Sequence, residues 1–487
     1  MPSLSDVVEN FDHQTFPPLL PLTVRLYTIL FGTSDASFRF FGFAVGVAFI
    51  CVVWLIARVV GKGVPLVLLT LLGLNTTFLV WGTTVGGYGI GSVLIVLALG
   101  LTARSLLQPA PWRIVAALFA CLASVQFVIN DLVLVSVIAF SAVAACLICR
   151  FVRLALVFAG VGLCCVTSDL VYLKIYSGAD WRIVLRQPVP FLWLWDSFRV
   201  AVGNPISIIP WLWGLIFSAT LLGAACYLII NWRRRPVRES LVLLFAALVS
   251  LTAPLGYYGS LRLLRYPTNV WHYLPLLSLF AANSDLILAQ LCRIHWVRVV
   301  RLGFVFALLI ILPFAAWPQA TERQTNIDIV AQELERDAST NDVIVINPWF
   351  VGISFGWYYH GPTRWLTVPI VSEHRIHRFD LVKAKMMAPY PLSDLEQEMN
   401  ATLRAAHRVW LVGSVQILPE GQAPLSLPPA PQSEFSWQNY AYQYAWSQQL
   451  GAFIRQHAVR VTLVLPPMRA VNKVENAELW AAEGWRD

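Results

Sequence analysis

The stretch NDLVLVSVIAFSAVAACLICR (130–150) decides the fold class of this chain. Between Asp131 and Arg150 it contains no charged residue. A helix needs about 20 mainly apolar residues to cross the hydrocarbon core of a bilayer. The stretch therefore predicts a transmembrane helix over 131–149, with a polar start and a basic end.

Runs of the same kind recur before and after this stretch. The chain has 487 residues, of which 57% are hydrophobic and 13% are charged. Reading apolar windows along it predicts ten membrane spans, near 38–58, 64–82, 88–106, 113–129, 131–149, 153–173, 206–231, 238–256, 270–292 and 299–317. The fold class is therefore a polytopic α-helical membrane protein.

The composition also excludes some partners and sites. A net charge of +8 would favour nucleic acid as the partner of a soluble protein, but most arginines here lie between apolar segments, where they set orientation. Nucleic acid is therefore not an expected partner. All eight cysteines precede residue 300, so the C-terminal part has neither a disulfide framework nor a cysteine zinc site.

The charges of the short connections predict the orientation of the spans. Connections around 83–87 and 130 carry no Lys or Arg, whereas five alternate connections are basic, with Arg58 and Lys62, Arg104 and Arg113, Arg150 and Arg153, the run WRRRPVRE (232–239), and Arg293, Arg298 and Arg301. By the positive-inside rule the basic side is cytoplasmic. The N-terminus, the loops 174–205 and 257–269, and everything after 317 are then predicted to face outward from the cytoplasmic membrane.

The opening stretch ENFDHQTFPPLLPL (9–22) precedes a short apolar segment at 18–31. This segment is too short to cross a bilayer and begins at Pro17 and Pro18, which favours a helix lying on the outer face. We assign 1–37 to an outward loop and surface helix, and 38–317 to the transmembrane domain. An outward N-terminus without a preceding span also leads us to expect that one upstream helix is missing from this sequence.

Residues 318–487 have the pattern of a soluble α/β domain. Four β-branched stretches read as buried strands, with helical patterns between them near 326–337, 349–359, 393–406 and 440–456. The predicted strands are DVIVINP (342–348), RWLTVP (364–369), RVWLVG (408–413) and VRVTLVLP (459–466). Alternating strands and helices predict a parallel sheet, and we expect this domain to be extracytoplasmic.

Basic residues on the predicted outer side are candidate ligands for a lipid phosphate. Arg262 and Arg265 lie outward against the usual charge bias, and the guanidinium fork suits phosphate oxygens. The alternative is that they snorkel to lipid headgroups. Arg182 and Arg186 lie in a tryptophan-rich loop that either joins the phosphate site or only anchors the protein at the membrane interface.

Several carboxylates near the predicted outer boundary also have two interpretations. Asp169 is either a polar helix end or a second acid of the site. Asn130 and Asp131 lie at an outward helix boundary, where they either contact substrate or cap a helix. Asp285 lies deeper in its span, which favours a structural hydrogen bond to a neighbouring helix.

Three motifs resemble those of a known group of membrane enzymes. The first motif of that group is an acid followed by His-Pro-Pro-Leu, a surface helix and the sequence LFG-x-Ser. It is similar to Asp12, His13, Pro17, Pro18 and Leu19, followed by ILFGTSDASFRFFG (29–42). NTTFLVWGTTVGGY (75–88) aligns without a gap to a second motif, and HYLPLL (272–277) approximates Arg-Tyr-x-x-Pro. These motifs resemble GT-C membrane glycosyltransferases related to protein O-mannosyltransferases and aminoarabinose transferases.

The resemblance implies a GT-C fold and transfer of a sugar from a polyprenyl-phosphate donor to a glycan, lipid or protein acceptor, with inversion at the anomeric carbon. It makes Asp12 the general base and His13 its partner. Arg262, Arg265 and His272 would hold the donor phosphate, with Arg182 and Arg186 as further cations. No cofactor or metal is implied because arginines can neutralise the leaving group, although the sequence leaves a divalent cation open.

The chain also departs from that group. The Asp-Glu pair expected early in the first outward loop is missing, and Thr84 and Gly86 stand where the second motif has glutamate and arginine. The runner-up hypothesis is therefore a non-catalytic envelope protein of the same fold that binds lipid-linked glycan or a protein partner. A transporter is the third, without a visible pair of similar halves with broken helices.

Overall fold

A computed structural model describes residues 3–10, 16–60, 66–178, 188–202, 208–231, 237–291, 295–419, 421–430, 437 and 439–487 of the chain. These residues form two compact units. The first contains the described residues up to Ala320. The second runs from Thr321 to Asp487, three residues later than the predicted domain boundary.

The first unit is helical. In the described part of the chain, eight helices are long and apolar enough to cross a membrane, by length and composition. They correspond to eight of the ten predicted spans and indicate a polytopic, membrane-embedded protein. Its helices are α1 (Leu4–Glu9), α2 (Leu19–Phe31), α3 (Asp35–Val60), α4 (Gly87–Leu107), α5 (Pro111–Phe127), α6 (Asp131–Ile148), α7 (Val152–Gly178), α8 (Phe191–Ala201), α9 (Ile209–Asn231), α10 (Val237–Leu264), α11 (Leu274–Leu291) and α12 (His295–Ala320).

The long helices divide into central and peripheral ones. In α4, α10 and α11 most of the apolar segment is buried, whereas in α3, α9 and α12 less than a third is buried. The exposed residues of the peripheral helices are large and apolar, such as Phe43, Leu215 and Phe306. Such side chains are suited to contact with lipid tails.

The segment predicted as a span over 64–82 is broken. Its described part contains two short π-helical turns, Leu68–Leu72 and Phe78–Gly82, with a turn at Gly73 and Leu74 between them. Hydrogen bonds to distant helices hold it in this form, one set made by a side chain of α11 and the other by a side chain of the segment itself. Asp285 accepts hydrogen bonds from the backbone N–H groups of Val67 and Leu68, and Asn75 donates to the carbonyl groups at the end of α8. The described part of the predicted span 64–82 is therefore not one continuous helix.

The predicted span 113–129 is the second one without a counterpart among the eight candidate membrane helices of the described residues. Pro111 occupies the first turn of α5, where the lack of a backbone N–H costs no hydrogen bond. The helix ends at Phe127 because Val128 adopts an extended backbone. It is 17 residues long, which is shorter than each of the eight helices counted as candidate spans.

The second unit is a five-stranded mixed sheet covered by helices. Its strands are β1 (Val343–Asn347), β2 (Arg364–Thr367), β3 (Val409–Gly413), β4 (Ala458–Leu465) and β5 (Leu479–Trp485), in the order β2-β1-β3-β5-β4. The four predicted strands are confirmed, but the prediction of a wholly parallel sheet was wrong. β5, which the sequence did not reveal, lies between β3 and β4 and is antiparallel to both.

Helices cover both faces of this sheet. One face carries α13 (Ile327–Asp337) and α14 (Val351–Tyr358), which pack on Ile344 and Ile346. The other carries α15 (Phe379–Met387), α16 (Ser393–Arg404) and α17 (Asn439–His457), which pack on Val343 and Val345. Because side chains alternate along a strand, Asn347 lies on the face of Val343 and Val345.

Asp342 fastens the start of β1 to β3. Its buried carboxylate accepts hydrogen bonds from the backbone N–H groups of Ser339 and Arg408, both at 2.9 Å, and from Trp410 Nε1 at 3.0 Å. Desolvation by burial raises the pKa of this carboxyl group, but the hydrogen bonds outweigh it and leave the pKa below its usual value. The ionised form is thus the one that the folded unit stabilises.

We expect Asp342→Ala to destabilise the second unit by about 3 kcal/mol, because it leaves buried donors without partners. Since the folded pKa is depressed, the stabilisation is complete above the ordinary aspartate pKa of about 3.9 and is lost as the pH falls below it. Amide hydrogen exchange in β1 and β3 measures both effects. The exposed Asp337 provides the control Asp337→Ala. Equal protection in the two variants would contradict the prediction.

Candidate functional site

Chain segments that are far apart in sequence meet at one end of the helical bundle. The backbone at Gly87, where α4 begins, lies against the carbonyl oxygen of Phe127, where α5 ends. The Tyr257 hydroxyl of α10 donates to the carbonyl oxygen of His272, just before α11, at 3.0 Å. This end is the one that the basic connections predict to face outward.

His272 lies at the centre of an aromatic cluster at this end. Its ring is 5.2 Å from that of Tyr88 and 5.9 Å from that of Tyr266. Its Nδ1 is within hydrogen-bond distance of the backbone of Asn269. Burial raises the pKa of the Tyr266 hydroxyl, so this group stays neutral and able to donate a proton in a hydrogen bond.

The opening segment reaches the same cluster. Phe16 packs edge-on against Tyr88 at 5.5 Å, and its ring also contacts the backbone at Gly87. Phe16 is the first described residue after Asp12 and His13, which lie outside the described residues. Phe16 and the segment that precedes α11 therefore lie close together at this end of the bundle.

A buried carboxylate lies next to this cluster. Asp131 is 1% exposed and its Oδ2 accepts a hydrogen bond from Ser124 at 2.7 Å. Its Oδ1 is also buried and has no hydrogen-bond partner. The Asn130 side chain makes no capping hydrogen bond at the start of α6, so the expectation that it caps this helix was wrong. A free carboxylate oxygen here can accept a hydrogen bond from a hydroxyl group that enters the cluster.

An apolar groove of about 280 Å³ opens beside the cluster. Its walls come from the broken segment and from α8, α9, α10 and α11. Aromatic rings dominate the lining, with Phe191, Trp195, Phe198, Trp213, Phe217, Tyr257, Tyr258, Tyr273 and Phe280 among its residues. Tyr257 lines the groove and also belongs to the cluster, because its hydroxyl donates to the carbonyl oxygen of His272. Tyr273 lines the groove and directly follows His272, and its hydroxyl accepts a hydrogen bond from Thr268.

A cationic side chain is hydrogen-bonded to a residue in the wall of the groove. Arg262 donates a hydrogen bond to the hydroxyl of Tyr258 at 3.3 Å, and Tyr258 lines the groove. Arg262 itself is exposed, so its guanidinium retains donors for an anionic group. The arrangement can bind a molecule with a long apolar tail and an anionic head.

The predicted phosphate ligands have different environments. Arg262 and Arg265 are exposed, and Arg265 adopts a left-handed backbone with φ of 52° directly after α10. His272 is only 7% exposed and is enclosed by aromatic rings. It therefore supports the cluster and is not presented together with the two arginines. Arg182 and Arg186 lie outside the described residues.

The predicted secondary acid, Asp169, lies on α7. It is 1% exposed, and its Oδ1 is buried without a hydrogen-bond partner. Near it, Tyr172 donates to Gln126 at 2.7 Å, and Gln126 donates to Ser168 at 3.3 Å. The carboxylate is thus an interior group beside a polar chain between α5 and α7, rather than an exposed helix end.

Within the described ranges, no three His, Cys, Asp or Glu side chains come together in a way that would hold a metal ion. Compared with family models, curated proteins and solved structures, the chain gives no match.

Proposed function

We propose that this protein transfers a sugar from a polyprenyl-phosphate donor to an acceptor at the outer face of the cytoplasmic membrane, as a GT-C type glycosyltransferase. The observation that carries the proposal is the aromatic groove whose wall residue Tyr258 holds Arg262. An isoprenoid chain is apolar and unsaturated, which suits an aromatic lining. The phosphate of the same donor would lie at the arginine.

The chemistry needs a base for the acceptor hydroxyl and a cation for the leaving phosphate. In the proposal Asp12 removes the proton while His13 orients it, and Arg262 and Arg265 neutralise the phosphate oxygens. Phe16, four residues after Asp12 in the sequence, supports this assignment because its ring packs against Tyr88 of the cluster. Asp131, being buried, would position the hydroxyl groups around it rather than react itself.

Basic residues at the opposite end of the bundle support the orientation. Arg238, near the start of α10, donates to the carbonyl oxygen of Leu106 at the end of α4 and lies over the ring of Phe151. Positive charge collected at one end favours the cytoplasm. The groove end would then face outward, and the second unit would be extracytoplasmic.

The runner-up function is a protein that binds lipid-linked glycan without catalysis. It is favoured by the second motif, in which Thr84 and Gly86 replace charged residues. In the structure the Thr84 hydroxyl donates to the carbonyl oxygen of Trp81 at 2.8 Å, so it serves the backbone of the broken segment. The same groove would serve this function.

Filling the groove tests both functions. Gly214 lines the groove, and a Cβ atom there would meet no other atom within 4 Å. We expect Gly214→Trp to weaken binding of polyprenyl phosphate by about tenfold, equivalent to about 1.4 kcal/mol, and to slow transfer equally, because the indole occupies the space of the lipid tail. The measurement is binding of a fluorescent polyprenyl phosphate to the protein in nanodiscs.

The matched control is Gly160→Trp. Gly160 also has open space around its Cβ position, but it lies on α7 and does not line the groove. Equal binding by both variants would refute the groove as the lipid site. Binding without transfer from any sugar donor would favour the non-catalytic function, and uptake of a soluble solute into vesicles would favour a transporter.

A further inference from the structure

The aromatic groove extends only part of the way along the helices that form its walls. Tyr273, directly before α11, and Ser284, within α11, both line it. At about 1.5 Å per residue, the distance between them along the helix is about 16 Å. On α10, Arg262 and the groove residue Pro254 are about 12 Å apart by the same rule. The groove is thus shorter than the hydrocarbon core of a bilayer, which is about 30 Å thick.

The broken segment lies at the inner end of the groove, away from Arg262. Val67 of this segment lines the groove, and its backbone N–H donates to the carboxylate of Asp285, the residue after Ser284. The same carboxylate pairs with Arg301 at 3.0 Å. A buried ion pair therefore lies beyond Val67 and Ser284. An apolar chain cannot continue in this direction without replacing the contacts of these charges, which is costly.

The groove also adjoins a helix surface that is suited to lipid. Gly214 and Ile216 of α9 line the groove, whereas Leu215 between them is 63% exposed. Trp211, one turn earlier on the same helix, is 70% exposed. Lipid tails are as apolar as leucine, so a chain that leaves the groove on this side remains in an apolar environment. A lipid longer than the groove can therefore place its remaining length in the bilayer.

The capacity of the groove follows from its dimensions. An isoprene unit adds four carbon–carbon bonds of about 1.5 Å to a chain, and therefore about 5 Å to its extended length. A groove about 12–16 Å long holds about three such units. Its volume of about 280 Å³ is near the lower end of the range for ligand pockets, which also indicates a short occupant.

We propose that the groove recognises its lipid by the phosphate and about the first three isoprene units, and that the rest of the chain lies in the bilayer. This inference rests on the proposed function, because it takes a polyprenyl phosphate as the lipid. Movement of a chain from lipid into the groove has no hydrophobic driving force, so affinity comes from packing against the aromatic walls. Units beyond the inner end add no such contacts. The protein therefore accepts donors of different chain lengths, provided that they fill the groove.

The test is competition of prenyl phosphates against a fluorescent polyprenyl phosphate, with the full chain in nanodiscs and each competitor at the same mole fraction in the bilayer. Geranyl, farnesyl, geranylgeranyl and undecaprenyl phosphate carry two, three, four and eleven isoprene units. Farnesyl phosphate should bind about tenfold more tightly than geranyl phosphate, and the two longer lipids within about twofold of farnesyl phosphate. Affinity that keeps rising up to undecaprenyl phosphate, or equal affinity for geranyl and farnesyl phosphate, would overturn the proposal.

A larger side chain at the inner end should shorten the groove. In Ser284→Leu the added carbons occupy the space of the third unit, so farnesyl and undecaprenyl phosphate should bind about tenfold more weakly, whereas geranyl phosphate should bind as before. Unchanged binding of geranyl phosphate also shows that the variant is folded. Leu215→Phe, on the exposed surface of α9, is the control and should leave all four affinities unchanged.

The outcomes of this variant are separable. If Ser284→Leu weakens all four lipids equally at an unchanged Tm, the groove does not end at Ser284 and the proposal fails. If the Tm falls, the chain-length series on the unaltered protein decides alone.

Failure of the transferase proposal gives a different result. If the chain-length series behaves as expected but no sugar is transferred, the selectivity of the groove stands and the non-catalytic function is favoured. If sugar is transferred but affinity shows no step between two and three units, the transferase stands and this inference fails. If none of the four lipids competes, the groove is not the lipid site and both proposals fail.

Discussion

Asp12→Asn is expected to lower the rate of sugar transfer by about 10²–10⁴-fold, the range typical for loss of a general base. Asparagine keeps the shape of the side chain but cannot take the proton of the acceptor hydroxyl. Binding of the polyprenyl-phosphate donor should not change, because the proposed phosphate ligands are arginines elsewhere. Single-turnover transfer and donor binding, measured on the same preparation, separate the two effects.

The control for this change is Asp6→Asn. Asp6 also belongs to the opening part of the chain, but its carboxylate accepts hydrogen bonds from the backbone N–H and hydroxyl of Ser3 at the start of α1. Its replacement should reduce helix capping without slowing transfer by more than a few-fold. A fully active Asp12→Asn protein would refute Asp12 as the base, and Asp131→Asn then identifies whether the buried acid carries the reaction.

The continuous apolar helices were predictable because hydropathy is a local property of the sequence. The break at 68–82 was not, because it depends on Asp285 and on the contact of Asn75 with α8, which are set by tertiary packing. The missed strand β5 has a similar cause. Its sequence LWAAEGW contains Ala and Gly residues that disfavour strands, and its place is fixed by pairing on both sides.

The candidate site was only partly predictable. The sequence singled out Arg262 and Arg265 for their outward position against the usual charge bias, and His272 because it stands in place of an arginine of the resembled motif. A short turn leaves the two arginines exposed and buries the histidine. The partnership of Asp131 with Ser124 had no local signal, since the hydroxyl belongs to the preceding helix. The repeated tyrosines at 257, 258, 266 and 273 were the visible clue to the aromatic cluster.

A buried ion pair should have the largest effect on the stability of the first unit. Asp285 accepts a hydrogen bond from Arg301 at 3.0 Å, and both side chains are mostly buried. The same carboxylate holds the backbone of Val67 and Leu68, which confirms the expected structural role of Asp285. We expect Asp285→Ala to lower the free energy of unfolding by about 3–5 kcal/mol, because it removes the buried carboxylate that pairs with Arg301 and accepts from two backbone N–H groups.

Removing both charges should be less damaging than removing one. In Asp285→Leu with Arg301→Leu, no buried charge remains, so part of the stability returns and only the backbone donors lack partners. Unfolding in mixed micelles measures all variants, with Arg298→Ala as the control, since Arg298 is exposed one turn earlier on α12. If Asp285→Ala proves as mild as Arg298→Ala, the pair does not hold the broken segment in place. If the double variant is the least stable, the attraction between the charges exceeds their desolvation cost.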